Sequence, residues 1–278
     1  PRLINFLVSG ELRKHPTWGS VIPYHIPTYG TGQSLGHCIR PDVLLTESGP
    51  KICELDFVPS GRGFLLAGLD MDKQHEVGRT FVDWYTKMGV DKVYYATAST
   101  TQCLEETQKF ALALRMMFGF DIRAGNIETA QSDHIDGALI DRLSYRSEMS
   151  IPEERKSLPD CLVSTAEPYL DSKAIFAMVH DKQLTEMLKS ALGSEGLVFL
   201  RETIPETTLV QSLKSEAHYK SIADEYERWV IKATEVETDF SWGCRGTIPG
   251  ASYSSAKFLK ALHGEYPGKK NAGKNPIL

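Results

Sequence analysis

The chain has 278 residues, of which 41% are hydrophobic and 24% are charged, and its formal net charge is −5. This composition is ordinary for a globular protein and suggests two domains, or one domain with a substantial subdomain. The acidic balance without a basic stripe argues against a nucleic-acid partner, and no apolar run reaches the length of a membrane span, so we expect no membrane partner either. The five cysteines lack metal-ligand spacing and fit reduced thiols, which favours a cytoplasmic location.

Both ends of the sequence look cut. The chain begins directly in an apolar run, Leu3 to Val8, and it stops at Asn275-Pro-Ile-Leu278 just as another strand begins. We therefore expect it to be part of a larger protein. The sequence does not indicate an oligomeric state.

Residues 40–56 predict a short β-hairpin within a first segment, to about Gly68, that is otherwise rich in loops. An apolar strand begins at Val43, Ser48-Gly49 makes the turn, and the return strand runs from Ile52 to Phe57.

Three carboxylates gather on this hairpin. Glu54 and Asp56 are two residues apart and therefore share one face of a strand. With a loop of Glu47-Ser48-Gly49, in which Gly49 takes the left-handed position, Asp42 lies opposite Glu54. Facing like charges are destabilising unless something neutralises them, and Mg²⁺, which prefers carboxylate oxygens, would do so. The alternative is an exposed acidic hairpin on a solvated sheet face.

The middle of the chain predicts an α/β unit with a parallel sheet. A helix over about 73–87 precedes a buried strand over 91–97, a second helix runs from about Gln102 to Met117 and closes at Gly119, and a strand starts at Asp121. A further strand pair lies within 135–143, and the polar, proline-containing residues 147–160 indicate a loop or linker.

The last part of the chain predicts more helices and one strand that carries a lysine. A helix opens at Lys173 and continues through Leu192, and a polar helical stretch follows over about 213–227. Residues 229–233 form a strand with Lys232 at its C-terminal end. A glycine loop over 243–250 and a short helix after Ser254 follow.

Lys232 and the loop after it are a phosphate-handling arrangement in outline. A strand-terminal lysine supplies a point charge for phosphate oxygens, and glycines let backbone N–H groups approach an anion closely. The loop matches neither the P-loop nor the Rossmann fingerprint. A solvated lysine followed by an ordinary turn is the alternative interpretation.

Taken together, these pieces resemble the circularly permuted ATP-grasp family, in particular the synthetase domain of glutathionylspermidine synthetase-like proteins. The matching segments occur in the family's order over about residues 38–250, and it is their order and spacing that carry the resemblance. They are Arg40-Pro-Asp42, Glu54-Leu-Asp56, Asp171-Ser-Lys173-Ala, Leu200-Arg-Glu-Thr-Ile-Pro205-Glu-Thr207, Val230-Ile-Lys232 and Trp242-Gly-Cys-Arg-Gly246.

The resemblance implies a fold of the α/β (α+β) class that is ATP-grasp-like and circularly permuted, with a pre-ATP-grasp α/β domain. Residues 1–70 would form the carboxylate-hairpin part of the ATP-grasp domain and residues 71–165 the pre-ATP-grasp domain. Residues 166–278 would form the lysine and glycine-loop part, incomplete at its C-terminus.

The resemblance also implies a role for each matching residue. Mg²⁺ would be held by Asp42, Glu54 and Asp56, the last of which stands where the family has Asn. Arg40 would face the transferred phosphate. The remaining residues would contact ATP: Lys173 and Lys232 at the phosphates and the adenine cleft, and Gly243, Cys244, Arg245 and Gly246 as a flexible lid over the triphosphate.

The activity that the resemblance implies is an ATP- and Mg²⁺-dependent ligase. ATP would convert a carboxylate to an acyl-phosphate, which an amine or thiol then attacks, and the developing phosphoryl charge requires a metal and cationic donors already in position. The carboxylate and the amine could belong to small molecules or peptides. One alternative is a non-catalytic nucleotide-binding or scaffolding module that retains the fold. A nicotinamide-dependent oxidoreductase is a further alternative, although residues 96–100 lack the glycine fingerprint.

Overall fold

The computed structural model describes residues 2–22, 39–56, 62–97, 101–126, 138–142, 168–213, 215–234, 246–266 and 276–278. In these ranges the protein is of mixed α/β class, with helices and small sheets. The helices are α1 Arg2–Val8, α2 Trp18–Val21, α3 Arg62–Ala67, α4 Met71–Lys87, α5 Thr101–Phe118, α6 Ala174–His180, α7 Thr185–Leu192, α8 Ser194–Thr203, α9 Glu216–Asp224 and α10 Ser255–Leu262. The strands are β1 Arg40–Thr46, β2 Gly49–Asp56, β3 Lys92–Thr97, β4 Asp121–Asn126, β5 Leu139–Arg142, β6 Val230–Lys232 and β7 Thr247–Pro249. None of the helices in the described ranges has both the length and the apolar character needed to cross a bilayer.

The chain divides into two compact units. The first unit comprises Pro1–Pro27, Pro41–Leu55 and Pro168–Leu278, and the second comprises Thr28–Arg40 and Asp56–Glu167. The division into residues 1–70, 71–165 and 166–278 stays a prediction.

The second unit contains the predicted parallel sheet. Its strand order is β4-β3-β5, and both outer strands run parallel to β3, with Val93 opposite Ile122 on one side and Leu139 on the other. Parallel neighbours require a crossover connection, and α5 supplies it between β3 and β4. The predicted strand–helix–strand unit is therefore confirmed. Of the strand pair predicted within 135–143, the structure describes one strand, β5, and residues 135–137 and 143 lie outside the described ranges.

Large aromatic and aliphatic side chains form the core of this unit. The fully buried members include Tyr85, Tyr95, Phe110 and Leu114, each no more than 1% exposed. The Tyr85 hydroxyl donates to the Tyr95 hydroxyl at 2.9 Å, so each buried phenol has a hydrogen-bonding partner. Gly119, which follows α5 at a φ of +66°, takes the left-handed conformation that commonly ends a helix.

Two predictions about helices are wrong. The first segment is not loop-rich throughout, since it contains α1, α2 and α3; α1 buries Ile4 and Leu7, and its Arg2 side chain donates to the Leu192 carbonyl at 3.0 Å. Such stabilisation by distant residues leaves little local signal in a helix this short.

The helix predicted from Lys173 through Leu192 is also interrupted. Helix α6 ends at His180, a 3-10 turn follows over Lys182–Leu184, and α7 begins at Thr185. Asp181 breaks the helix: its backbone is extended, and its carboxylate accepts hydrogen bonds from the Gln183 N–H at 2.8 Å and the Trp18 indole at 2.7 Å. A carboxylate that binds nearby backbone competes with continued helix.

Strand β6 lies in a small sheet of the first unit and is held on both sides. It pairs antiparallel with β7, where Lys232 faces Thr247. On its other side Lys232 and Ile277 exchange two backbone hydrogen bonds of 2.9 Å each. Ile277 also forms an isolated β-bridge to Leu209. Residues 276–278 thus make β-type contacts but no strand of their own, and the further strand stays a prediction. The backbone of Lys232 is therefore fixed from two directions.

The predicted hairpin is confirmed as a two-stranded sheet of β1 and β2. Only Glu47 and Ser48 separate the strands, a connection that joins antiparallel neighbours. The predicted three-residue loop, from which Asp42 was placed opposite Glu54, is therefore wrong, because Gly49 is already the first residue of β2. Gly49 has a φ of +103°, a conformation that glycine adopts without steric cost. The Thr46 hydroxyl donates to the Gly49 carbonyl at 2.6 Å and braces the turn.

Candidate functional site

The clearest functional arrangement in the first unit is the approach of Lys173 to the hairpin. Lys173 precedes α6, and its Nζ lies 3.1 Å from Oε1 of Glu54 on β2. The lysine side chain is 16% exposed and the glutamate side chain 38%, so the pair is partly shielded from water. Two residues predicted separately as phosphate and metal ligands thus form an ion pair.

The second predicted lysine reaches the neighbouring residue of the same strand. Nζ of Lys232 donates to the Cys53 carbonyl at 3.2 Å, and the lysine is half-buried. In sequence, Lys173 is 119 residues from Glu54, and Lys232 is 179 residues from Cys53. Two cationic side chains from distant segments therefore meet consecutive residues of β2, which concentrates positive charge beside the Glu54 carboxylate.

Ser172 links the two segments that carry these lysines. Its hydroxyl donates to the Thr234 carbonyl at 2.9 Å and accepts from the Ala174 N–H at 3.3 Å, and the residue is 3% exposed. The start of α6 is thereby joined to the chain just after β6. The sequence motifs give Ser172 no role of its own, although a serine just before a helix is a typical capping residue.

The other predicted residues of the first unit are only partly described. The carbonyl of Asp42, a half-buried residue, accepts from the Cys53 thiol at 3.3 Å. The carbonyl of buried Gly246 accepts from the Ala233 N–H at 2.8 Å, beside the chain that follows Lys232. The predicted glycine loop over 243–250 is wrong at residues 247–249, which form strand β7. The remaining predicted lid residues, Gly243, Cys244 and Arg245, lie outside the described ranges.

Arg40 and Asp56 belong to the second unit and contact each other. The Arg40 Nη2 and the Asp56 Oδ2 are 3.1 Å apart, and their side chains are 42% and 21% exposed. Here too a predicted phosphate ligand and a predicted metal ligand form an ion pair.

The described residues form neither a preformed metal cluster nor a large pocket at the lysines. No group of three or more His, Cys, Asp or Glu side chains in the described ranges could hold a metal ion. A small depression lies beside Lys173, with Leu55, Leu170 and Phe176 among its lining residues. It encloses no space comparable with small-molecule pockets, which typically occupy about 300–1,000 Å³, so a nucleotide would require more than this depression.

At the end of α6 opposite Lys173, the titratable side chain of His180 has a perturbed pKa. His180, at the end of α6, donates from Nε2 to the Ile204 carbonyl at 3.2 Å. Burial lowers the pKa of His180 below 6.5, and the nearby Arg201 guanidinium lowers it further, while the Ile204 hydrogen bond and Glu206 act in the opposite direction. The folded structure therefore disfavours the charged form of this histidine.

Comparison with known proteins finds no family model and no curated protein that matches the chain. A function is therefore inferred from the residues of this chain and their geometry.

Proposed function

We propose that this chain is the catalytic part of an ATP- and Mg²⁺-dependent ligase that joins a carboxylate to an amine or thiol. The observation that supports the proposal best is the meeting of Lys173 and Lys232 at consecutive residues of the carboxylate-bearing strand β2. Phosphoryl transfer needs cationic donors and a metal-binding carboxylate close together, because charge develops on the transferred group. This part of the first unit provides both kinds of group.

Asp42 and Glu54 fit Mg²⁺ by their chemistry. Carboxylate oxygens are its preferred protein ligands, and it usually takes only one or two of them together with waters and phosphate oxygens. A site of this kind needs no group of three protein ligands, so the arrangement of the described residues is compatible with it. When bound, the ion would neutralise charge on the nucleotide phosphates.

The other side chains of this site have separate proposed roles. Lys173 and Lys232 would bind phosphate oxygens as point charges, each from a backbone position that the fold fixes. Ser172 keeps the two lysine-bearing segments together through Thr234. The acceptor substrates, small-molecule or peptide carboxylates and amines, would be selected by other residues.

A non-catalytic module that retains the fold is the second candidate, and the ion pairs favour it. Glu54 is paired with Lys173 in the first unit, and Asp56 is paired with Arg40 in the second. Charged groups that neutralise one another can be purely structural. This candidate, a nucleotide-binding or scaffolding module, predicts that the chain releases no ADP from ATP and Mg²⁺ with any carboxylate and amine.

Calorimetric titration of ATP, with and without Mg²⁺, tests the proposal on the wild-type chain and on Glu54→Gln. We expect Mg²⁺-dependent binding in the wild type and a loss of at least about tenfold in the variant, since even indirect partners of a metal typically contribute about 10–100-fold. Release of ADP with carboxylate and amine substrates should fall in parallel.

Glu186→Gln is the matched control, because Glu186 is a surface carboxylate of the same unit that pairs with Lys189 at 2.8 Å. It should bind ATP as the wild type does. Equal binding by Glu54→Gln and the wild type would overturn the proposal.

A further inference from the structure

Resting on the proposed function, we propose that the Lys173–Glu54 ion pair is a latch that couples the binding of phosphate and metal. The lysine proposed to bind phosphate and the carboxylate proposed to bind the metal form an ion pair with each other, with Nζ and Oε1 3.1 Å apart. Neither group is then fully available to a single ligand. When polyphosphate and a divalent cation bind together, the polyphosphate would pair with Lys173 and the cation with Glu54. These two contacts would replace the attraction lost when the ion pair separates.

The position and exposure of the pair suit such an exchange. The Lys173 backbone is held next to buried Ser172, while its ammonium group sits on a flexible four-carbon chain. With side-chain exposures of 16% and 38%, the pair is neither deeply buried nor fully solvated. Partly exposed pairs change an equilibrium by only about two- to fivefold, a difference that a bound ligand readily overcomes.

Lys232 provides an internal contrast. Its ammonium group contacts the neutral carbonyl of Cys53, so its departure would release no carboxylate. Removing either lysine deletes one positive charge beside β2, but removing Lys173 alone also frees Glu54. A latch therefore predicts a larger gain in cation affinity at position 173 than at position 232.

Linkage makes the effect reciprocal. If phosphate releases Glu54 for the metal, then the metal must release Lys173 for phosphate by the same factor. In the absence of the other ligand, Lys173→Met should bind a cation more tightly than the wild type, and Glu54→Gln should bind polyphosphate more tightly. A pair with a purely structural role would give Lys173→Met no larger a gain in cation affinity than Lys232→Met.

The test measures Mn²⁺ binding by electron paramagnetic resonance for the wild type, Lys173→Met and Lys232→Met, with and without tripolyphosphate. We expect Lys173→Met to tighten Mn²⁺ binding about two- to fivefold without tripolyphosphate and Lys232→Met to tighten it less. Tripolyphosphate should strengthen Mn²⁺ binding in the wild type, and this enhancement should shrink in Lys173→Met. Calorimetry of tripolyphosphate with Glu54→Gln, without metal, should show tighter binding than in the wild type.

The outcomes separate the latch from the proposed function. If the wild type binds ATP with Mg²⁺ but Lys173→Met gains no more Mn²⁺ affinity than Lys232→Met, the latch is overturned and the proposed function stands. If the wild type binds neither Mn²⁺ nor ATP, both are overturned.

Discussion

Two regions of this protein, helices α4 and α5 of the second unit and the lysines of the first unit, place their charged side chains differently. On helices α4 and α5 of the second unit, ion pairs join residues one turn apart, such as Lys73 to Glu76 and Lys109 to Glu105, each at 2.7 Å. The first unit also has local pairs, but Lys173 and Lys232 in addition reach partners more than 100 residues away in sequence.

We interpret the local pairs as contributions to the stability of single helices, and the contacts between distant segments as part of the ligand-binding site. These pairs one turn apart are exposed to solvent, so each supports only its own helix, and only slightly. A contact between distant segments must overcome the entropy of bringing them together, so the fold as a whole maintains it. We therefore expect substitutions in the sheet core of the second unit to act on stability, and substitutions at the lysines of the first unit to act on ligand binding.

The largest effect is expected from Leu114→Ala, which removes a fully buried side chain from the core of the second unit. The lost burial and the cavity left behind should lower the free energy of unfolding by about 2–5 kcal/mol, measured by urea denaturation. Where the chain is still folded, ATP titration should be unchanged.

Leu112→Ala is the control, because Leu112 lies on the same helix but is 52% exposed. It should cost less than about 0.5 kcal/mol. Similar losses in the free energy of unfolding of the two variants would mean that burial does not determine stability in this unit. A loss of ATP binding in folded Leu114→Ala would contradict the expectation that the core of the second unit acts on stability alone.

Sequence reasoning succeeded where structure is local. Helices α4 and α5 were predicted to within two residues because each has apolar residues at helical spacing over four or more turns. The hairpin followed from its turn residues. The parallel sheet followed from the strand–helix–strand order.

The sequence predicted the types of residue at the candidate site but not their contacts. Lysines and carboxylates in the right order predicted phosphate and metal chemistry, yet nothing local indicates that Lys173 pairs with Glu54 across 119 residues. Nothing local indicates the hydrogen bond from Ser172 to the Thr234 carbonyl either, since it joins residues 62 apart in sequence. The hairpin was also predicted to begin with an apolar strand, yet Leu45 on β1 is 90% exposed, because no described core covers it.

An intermediate effect is expected from Ser172→Ala, which tests whether the polar links of the first unit serve binding as well as stability. Removing the hydroxyl deletes the 2.9 Å bond to the Thr234 carbonyl in a buried setting. We expect the free energy of unfolding to fall by about 1–3 kcal/mol. ATP affinity should also fall, because the segments carrying Lys173 and Lys232 are no longer joined there.

Ser190→Ala, at an exposed position on α7, should change neither quantity. Ser172→Thr keeps a hydroxyl and should recover part of the ATP affinity. If Ser172→Ala lost stability but bound ATP as the wild type does, the link would be structural only.

The smallest effect is expected from the pH dependence that His180 gives to the first unit. Burial is the main reason that the pKa of His180 lies below 6.5 in the folded chain, whereas the unfolded chain should titrate near about 6.5. As the pH falls through 6.5, the unfolded state binds a proton that the folded state does not yet bind, so the free energy of unfolding decreases. This contribution is fully present above that pH, is lost progressively below it, and for a single group cannot exceed about 1.4 kcal/mol per pH unit.

Urea denaturation between about pH 7.5 and 5.5 should show a shallower loss of stability in His180→Gln than in the wild type, whereas His218→Gln, at an exposed position on α9, should follow the wild type. The same slope in all three proteins would mean that the folded structure does not lower the pKa of His180. The polar contacts of the first unit would then affect ligand binding but not the dependence of the free energy of unfolding on pH.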